Sequence, residues 1–290
     1  MRRFFCLKIL FERKKKMRKM FLVITMLLAG VVLAGCNNPV AFDETKGILT
    51  VGLEADYAPF NWTTVTPTTV SVRIDGQTAH ADGYDVQIAK ALADQLGYTL
   101  VIKKISWTGL IPALQSGVID VIIAGMSPTA ERMETINFTN EYYRSQQVVV
   151  VRADGNYANA TSLANFTGSN LVAQLGTLQH DLILQIPGVN RLTPLESYSD
   201  LTASVISGVA DGFIAELPVA NAIANANPQL TVIIFSGTNG FTVSDEDVSV
   251  SIGVRKVDTD LRDDLNVVLA TITNEQRELW MTQAIGRQPS

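Results

Sequence analysis

Gly125-Met126-Ser127-Pro128-Thr129-Ala130-Glu131-Arg132 is the segment of this sequence with the plainest chemistry. Thr129 is placed to cap a helix beginning at Ala130, which puts Arg132 in the first turn. A cation there opposes the positive end of the helix dipole by about 0.3–1 kcal/mol unless an anion lies between them. Free amides at a helix start and a guanidinium fork together make a receptor for a carboxylate. The competing reading is a solvated arginine paired with Glu131 or Glu134.

Three further places carry polar groups where a ligand could use them. Gln174-Leu175-Gly176-Thr177-Leu178-Gln179 passes from a strand to a helix through a glycine that permits close backbone approach, although a routine strand–helix turn looks the same. Glu216 ends the strand Phe213 to Ala215, so its carboxylate emerges at the carboxyl edge of a parallel sheet, where ligands bind; a plain helix-start carboxylate is the alternative. The first strand runs into Glu54-Ala55-Asp56-Tyr57-Ala58-Pro59-Phe60-Asn61-Trp62. Aromatic faces beside a carboxylate suit an extended, cationic side chain, while core packing would equally account for Phe60 and Trp62.

The elements that must position these groups alternate strand and helix. Ile48 to Leu53 and Thr99 to Ile105 are β-branched runs, and between them Ile88, Ala89, Leu92 and Leu96 share a helical face, with Asp85 as N-cap and Gly97 as the stop. Trp107, Leu110, Ile111 and Leu114 repeat that spacing before the strand Val121 to Ala124. A second series follows: strands at 171–174, 213–215 and 231–235, with helices after Thr177, at 199–207 and at 218–226. Ser116-Gly117-Val118-Ile119-Asp120 is echoed ninety-one residues later by Ser207-Gly208-Val209-Ala210-Asp211, both at a helix end leading into an apolar strand. Two similar α/β lobes are expected, each a mostly parallel sheet flanked by helices. Gln147 to Arg152 and Ser249 to Arg255 are expected to carry the chain between lobes as a two-strand hinge, with a ligand cleft between. Lobe 1 then comprises 47–147 plus 250–290, and lobe 2 comprises 148–249. The helical pattern around Leu261 to Ile272 ends in a polar tail, and residues 63–82 read as an inserted polar loop or hairpin.

Charge separates the N-terminus from this body. Residues 1–35 carry a net +8 and the remainder −13, within a total of −5 over 290 residues. An acidic body repels nucleic acid, so no nucleic-acid partner is expected. Basic residues through Lys19 precede a fifteen-residue run, Phe21 to Gly35, whose only polar side chain is Thr25. That run is shorter than the ~18 residues of a membrane-spanning helix and fits a signal peptide over 1–35, with Met17 opening a better-proportioned leader than Met1. Leu33-Ala34-Gly35-Cys36 resembles the lipobox of bacterial lipoproteins, which implies cleavage before Cys36, lipidation of its thiol, and a linker through residue 46. Cys6 leaves with the leader, so the mature body has no free thiol for a disulfide.

Taken in order, Val51-Gly52-Leu53-Glu54…Tyr57-Ala58-Pro59-Phe60, Gly83-Tyr84-Asp85-Val86, Trp107…Leu110-Ile111-Pro112-Ala113-Leu114, Asp120…Thr129-Ala130-Glu131-Arg132, Gly176-Thr177 and Ile252-Gly253-Val254-Arg255-Lys256 resemble the solute-binding proteins of polar amino-acid ABC transporters. The similarity runs from about residue 47 to 285. It implies a type II periplasmic-binding-protein fold that closes on a free L-amino acid and delivers it to an ABC permease. By position, Arg132 takes the α-carboxylate, helped by amides near Ser127 and Thr177, within a ligand-facing segment that includes Met126. Glu216 stands where the family usually has Asp as the α-ammonium partner, a departure of one methylene. Gly125 and Leu178 stand where hydroxyl residues are frequent. Glu54, Tyr57 and Phe60 match the side-chain pocket, Trp107 its wall, and Gly176 the close approach beside Thr177.

A monomeric, lipid-anchored, extracytoplasmic binding protein without cofactor or metal is the resulting expectation, with a cationic ligand (arginine, lysine or histidine) favoured by Glu54 and Asp56. Glutamine or another polar amino acid is the alternative ligand. The same fold resembles some periplasmic dehydratases, but the sequence lacks a Gly-x-Ser-x-Gly elbow and a cysteine nucleophile, so no enzyme is expected. Only His80 and His180 are available as imidazoles, and Asp245-Glu246-Asp247 reads as a solvated acidic turn.

Overall fold

The computed structural model describes residues 41–289. The signal peptide, Met17 and Cys36 lie outside the described residues. In chain order the strands are β1 (Ile48–Leu53), β2 (Asp56–Tyr57), β3 (Asn61–Thr64), β4 (Val72–Arg73), β5 (His80–Asp82), β6 (Thr99–Lys104), β7 (Val121–Ile122), β8 (Asn137–Arg144), β9 (Gln147–Arg152), β10 (Asn170–Val172), β11 (Asn190–Arg191), β12 (Gly212–Glu216), β13 (Leu230–Ile233) and β14 (Ser249–Val254). The helices are α1 (Tyr84–Leu96), α2 (Leu110–Gln115), α3 (Ala130–Thr135), α4 (Leu178–Leu182), α5 (Tyr198–Ile206), α6 (Leu217–Ala226), α7 (Thr259–Thr271) and α8 (Asn274–Arg287).

Two five-stranded sheets share one plan. The first is ordered β6-β1-β7-β14-β8 and the second β11-β10-β12-β9-β13; in each, the first three strands are parallel and the last two join antiparallel. Four of the five strands in each sheet run one way and a single strand, β14 or β9, runs against them, so each sheet is mixed and mostly parallel, as expected. The antiparallel members β9 and β14 are the runs expected to form the hinge. Instead, Gln147 through Val151 and all of β14 are buried inside a sheet, because consecutive β-branched residues need apolar cover on both faces, which an exposed connection cannot give. The chain crosses at Ser145-Gln146 and again within residues 234–248, and the two crossings meet where Ser145 N donates to Val248 O at 2.9 Å.

The sequence echo has a structural counterpart. Gly117 and Gly208 both adopt left-handed φ, +76° and +77°, after a helix end. Three residues on, Asp120 accepts from Thr50 N at 2.9 Å and Asp211 from Asn170 N at 2.7 Å, so the two turns pin the equivalent strands β1 and β10, each second in its sheet.

Within residues 63–82 the expected hairpin forms, β4 pairing antiparallel with β5 around Asp75-Gly76. It joins β2 and β3 in a four-stranded antiparallel sheet, β2-β3-β5-β4, with strands of two to four residues, too short for a periodic signal. Asp82, fully buried, anchors it by accepting from Thr68 Oγ1 at 2.7 Å and from Arg287 Nη2 at 3.0 Å. The polar tail is helical: α8 buries only Met281 and Ala284, which explains why its sequence shows no apolar stripe. Among the described residues no helix is long and apolar enough to cross a membrane.

Candidate functional site

Between the lobes, at the carboxyl edges of β1, β7, β10 and β12, lies a narrow cavity of about 20 Å³. From the first lobe it is lined by Glu54, Tyr57, Trp107, Gly125, Ser127 and Arg132; from the second, Gln174, Thr177, Leu178, Gln179, Tyr198 and Glu216 face it.

Arg132 is set as its sequence implies. Thr129 caps α3, accepting from Arg132 N at 3.4 Å, and the guanidinium folds back into the cavity with 9% of its surface exposed. Nη1 donates to Ser127 O at 2.9 Å and Nη2 to Gly176 O, across the cleft, at 3.2 Å; the guanidinium carbon lies 5.0 Å from the centre of the Trp107 ring. No carboxylate lies within ion-pairing distance among the described residues, so neither Glu131 nor Glu134 neutralises it. Burial lowers its pKa to about 10, leaving it charged at neutral pH. Beside it, the backbone N–H groups of Ser127 and Thr177 have no acceptor among the described residues, whereas the Thr177 hydroxyl is spent on Gln174 O at 2.7 Å and on capping α4.

Two acids share the cavity with that cation. Glu216 ends β12 and precedes α6 but caps nothing. Its Oε1 accepts from Gln179 Nε2 at 2.9 Å, while Oε2 is buried with no partner. Glu54, at the end of β1, accepts from Gln174 Nε2 of the other lobe at 2.8 Å. Burial raises both carboxyls to about 7.

The aromatics divide by role. Tyr57 lines the cavity against Tyr198, ring centroids 4.8 Å apart. Phe60 and Met126 do not reach it: Phe60 is fully buried between Tyr57, Tyr84 and Tyr143, and Met126 is 1% exposed in the core of the first lobe. Trp62 is also buried away from it. Trp107 Nε1 donates across the cleft to Gly176 O at 3.0 Å, so the Gly176 carbonyl gathers two donors from the opposite lobe. Gly125 carries no side chain because a Cβ would stand 2.8 Å from the Tyr57 ring, and its φ is +65°. Asp56, counted with Glu54 from the sequence, turns to Ser199 instead, whose hydroxyl lies 3.1 Å from both its oxygens.

Gln174, Gln179 and Tyr198 complete the lining beyond the residues expected from the sequence. Both glutamines sit in the strand–helix segment already noted, one before and one after its glycine, and their polarity at buried positions was the available signal. Tyr198 opens α5 and reads as core. Neither His80 nor His180 lines the cavity, and among the described residues no group of three His, Cys, Asp or Glu side chains could hold a metal.

Residues 49–279 match the family of bacterial extracellular solute-binding proteins, family 3. The chain belongs to that family. Among curated relatives, the arginine-binding extracellular protein ArtP of Bacillus subtilis is 28% identical over 87% of this chain and 92% of its own length. A probable histidine-binding protein of Campylobacter jejuni is 28% identical over 77% and 83%. An amino-acid ABC transporter substrate-binding protein from Streptococcus pneumoniae, solved with L-arginine, superposes with a TM-score of 0.74 at 26% identity, covering 85% of this chain and 97% of its own. This solute-binding protein accordingly has the type II periplasmic-binding-protein fold and is of the amino-acid ABC transporter class.

Proposed function

We propose that this solute-binding protein captures a free amino acid with a cationic side chain, namely arginine, lysine or histidine, and delivers it to an ABC permease while tethered outside the membrane through a lipid on Cys36. In this reading the lobes divide at the two crossings, the first lobe running to about residue 145 and resuming at 249, and the protein works as a monomer without catalysis. One observation carries it: the cavity holds a single unpaired guanidinium together with two buried carboxyls, Glu216 and Glu54. That is the charge complement of one carboxylate, one α-ammonium and one cationic side chain. Arg132 and the Ser127 and Thr177 amides meet the α-carboxylate, the free Oε2 of Glu216 meets the α-ammonium, and Glu54 meets the side chain between Tyr57 and Trp107. Glutamine would leave Glu54 without a counter-charge. Relatives named as arginine- and histidine-binding support this reading, and a glutamine-binding relative of Bacillus subtilis keeps the alternative ligand in the comparison.

Calorimetry of residues 37–290 with arginine, lysine, histidine and glutamine tests the reading. A cationic amino acid binding at least about tenfold more tightly than glutamine is expected, a difference of roughly 1.4 kcal/mol. Glutamine binding most tightly would overturn the cationic assignment.

The two raised carboxyls also fix a pH dependence with opposite signs for folding and binding. A buried carboxyl with a pKa near 7 keeps its proton in the folded chain after the unfolded chain has lost it near 4.5, so stability of the ligand-free protein falls as pH rises from about 4.5 to 7. A cationic ligand needs both groups ionised. Its affinity therefore rises over the same window, by up to about tenfold per pH unit for each carboxyl below its pKa, with proton release on binding that fades above pH 8. Thermal melts and calorimetry in buffers of different ionisation enthalpy check both signs.

A further inference from the structure

Asn61, Asp85 and Tyr142 are fully buried and joined beneath the cavity. Asp85 occupies the second position of α1, whose N-cap is Gly83; its side chain does not cap the helix as the sequence implied. Its Oδ2 accepts from Asn61 Nδ2 at 2.8 Å, and its Oδ1 accepts from the Tyr142 hydroxyl at 2.7 Å. Each partner passes the connection on to a backbone amide. Asn61 Oδ1 accepts from Ala55 N at 2.7 Å, and Tyr142 Oη accepts from Gly125 N at 3.2 Å. One carboxylate thus commands two peptide N–H groups, one in each of the first-lobe loops that border the cavity.

The ends of this relay share a backbone peculiarity. Gly125 has φ +65°, and Ala55, with φ +53°, is the sole non-glycine residue with positive φ among the described residues. A left-handed alanine is sterically strained and persists only where its surroundings fix it. Ala55 lies between Glu54 and Asp56-Tyr57, so its conformation aims Glu54 and Tyr57. Gly125 packs on the Tyr57 ring and leads to Ser127 and Arg132.

We propose that Asp85 is the positioning residue of the site: through Asn61 it sets the loop carrying Glu54 and Tyr57, through Tyr142 it sets the loop carrying Gly125 and Ser127, and so it registers the side-chain end of the ligand against the α-carboxylate end. The inference rests on the amino-acid reading above. An asparagine at position 85 cannot serve both arms. Its amide nitrogen faces either the Asn61 amide, which must then flip and lose Ala55 N–H, or the Tyr142 hydroxyl, which must then turn away from its present role.

Each arm has its own signature. Tyr142→Phe removes one oxygen and frees Gly125; affinity for every amino acid is expected to fall by a common factor of about ten, the scale of one buried hydrogen bond lost, with the preference between arginine and glutamine kept. Asn61→Leu frees Ala55 and is expected to change the arginine-to-glutamine affinity ratio, because Glu54 and Tyr57 move. Asp85→Asn keeps one arm and disrupts the other, and if it fails to fold the single-arm variants carry the test. Amide hydrogen exchange of the ligand-free full chain supplies a readout independent of ligand identity: faster exchange at Gly125 alone in Tyr142→Phe, at Ala55 alone in Asn61→Leu, and at one of the two in Asp85→Asn. Unchanged exchange at both amides would overturn the proposal, as would a single common factor on all ligands in all variants. Failure of the wild-type chain to bind any amino acid would instead sink the functional reading and leave the exchange result standing.

Discussion

Arg132→Ala is expected to weaken binding of the preferred amino acid by roughly 2–5 kcal/mol, about 30-fold to several thousand-fold, because it strands a buried carboxylate. The loss should appear in binding and not in folding. In the ligand-free protein the guanidinium is a desolvated charge with two carbonyl acceptors and no carboxylate, so replacing it leaves no orphaned counter-ion, and the melting temperature should hold or rise. Arg132→Lys keeps the charge but loses the fork, and an intermediate affinity is expected. Calorimetry with thermal melts of all three proteins checks this; an affinity within threefold of wild type for the alanine variant would remove Arg132 from the site.

The second large effect is at Glu216. Glu216→Gln keeps the shape and removes the charge opposite the α-ammonium, and a loss of about 2–4 kcal/mol is expected. Glu216→Asp tests the departure from the family's usual residue. Shortening the side chain draws the carboxylate back toward β12 and breaks the 2.9 Å bond to Gln179, which itself holds Gln147 Oε1 at 3.0 Å. Binding should fall, but less than in the glutamine variant, because the charge remains. Equal affinity of wild type and Glu216→Gln would show that the ammonium sits elsewhere.

The groups that were legible in the sequence are those fixed by local rules. Thr129 capping α3 dictates where Arg132 emerges, and the end of a buried parallel strand dictates where Glu216 emerges. Repeated Ser-Gly-x-x-Asp turns announced two lobes because a left-handed glycine followed by a strand-pinning acid is a local device. What escaped depends on long-range pairing. Gln147–Arg152 looked like a connection, and only its register against β12 and β13 shows it to be interior sheet. Phe60 and Tyr57, three residues apart in one aromatic cluster, part company because the fully buried ring packs toward Tyr84 and Tyr143 while the other meets Tyr198 from the opposite lobe. Asp56 counted as ligand charge until the fold turned it to Ser199.

The central claim is that the cavity recognises the acid group of an amino acid through Arg132. Calorimetry of the wild-type body with arginine and with agmatine, its decarboxylated analogue, isolates that group without altering the protein. Agmatine, which keeps the amine and guanidinium but leaves Arg132 unpaired in the closed cavity, should bind at least about a hundredfold more weakly than arginine. Equal affinity of the two ligands would contradict the account.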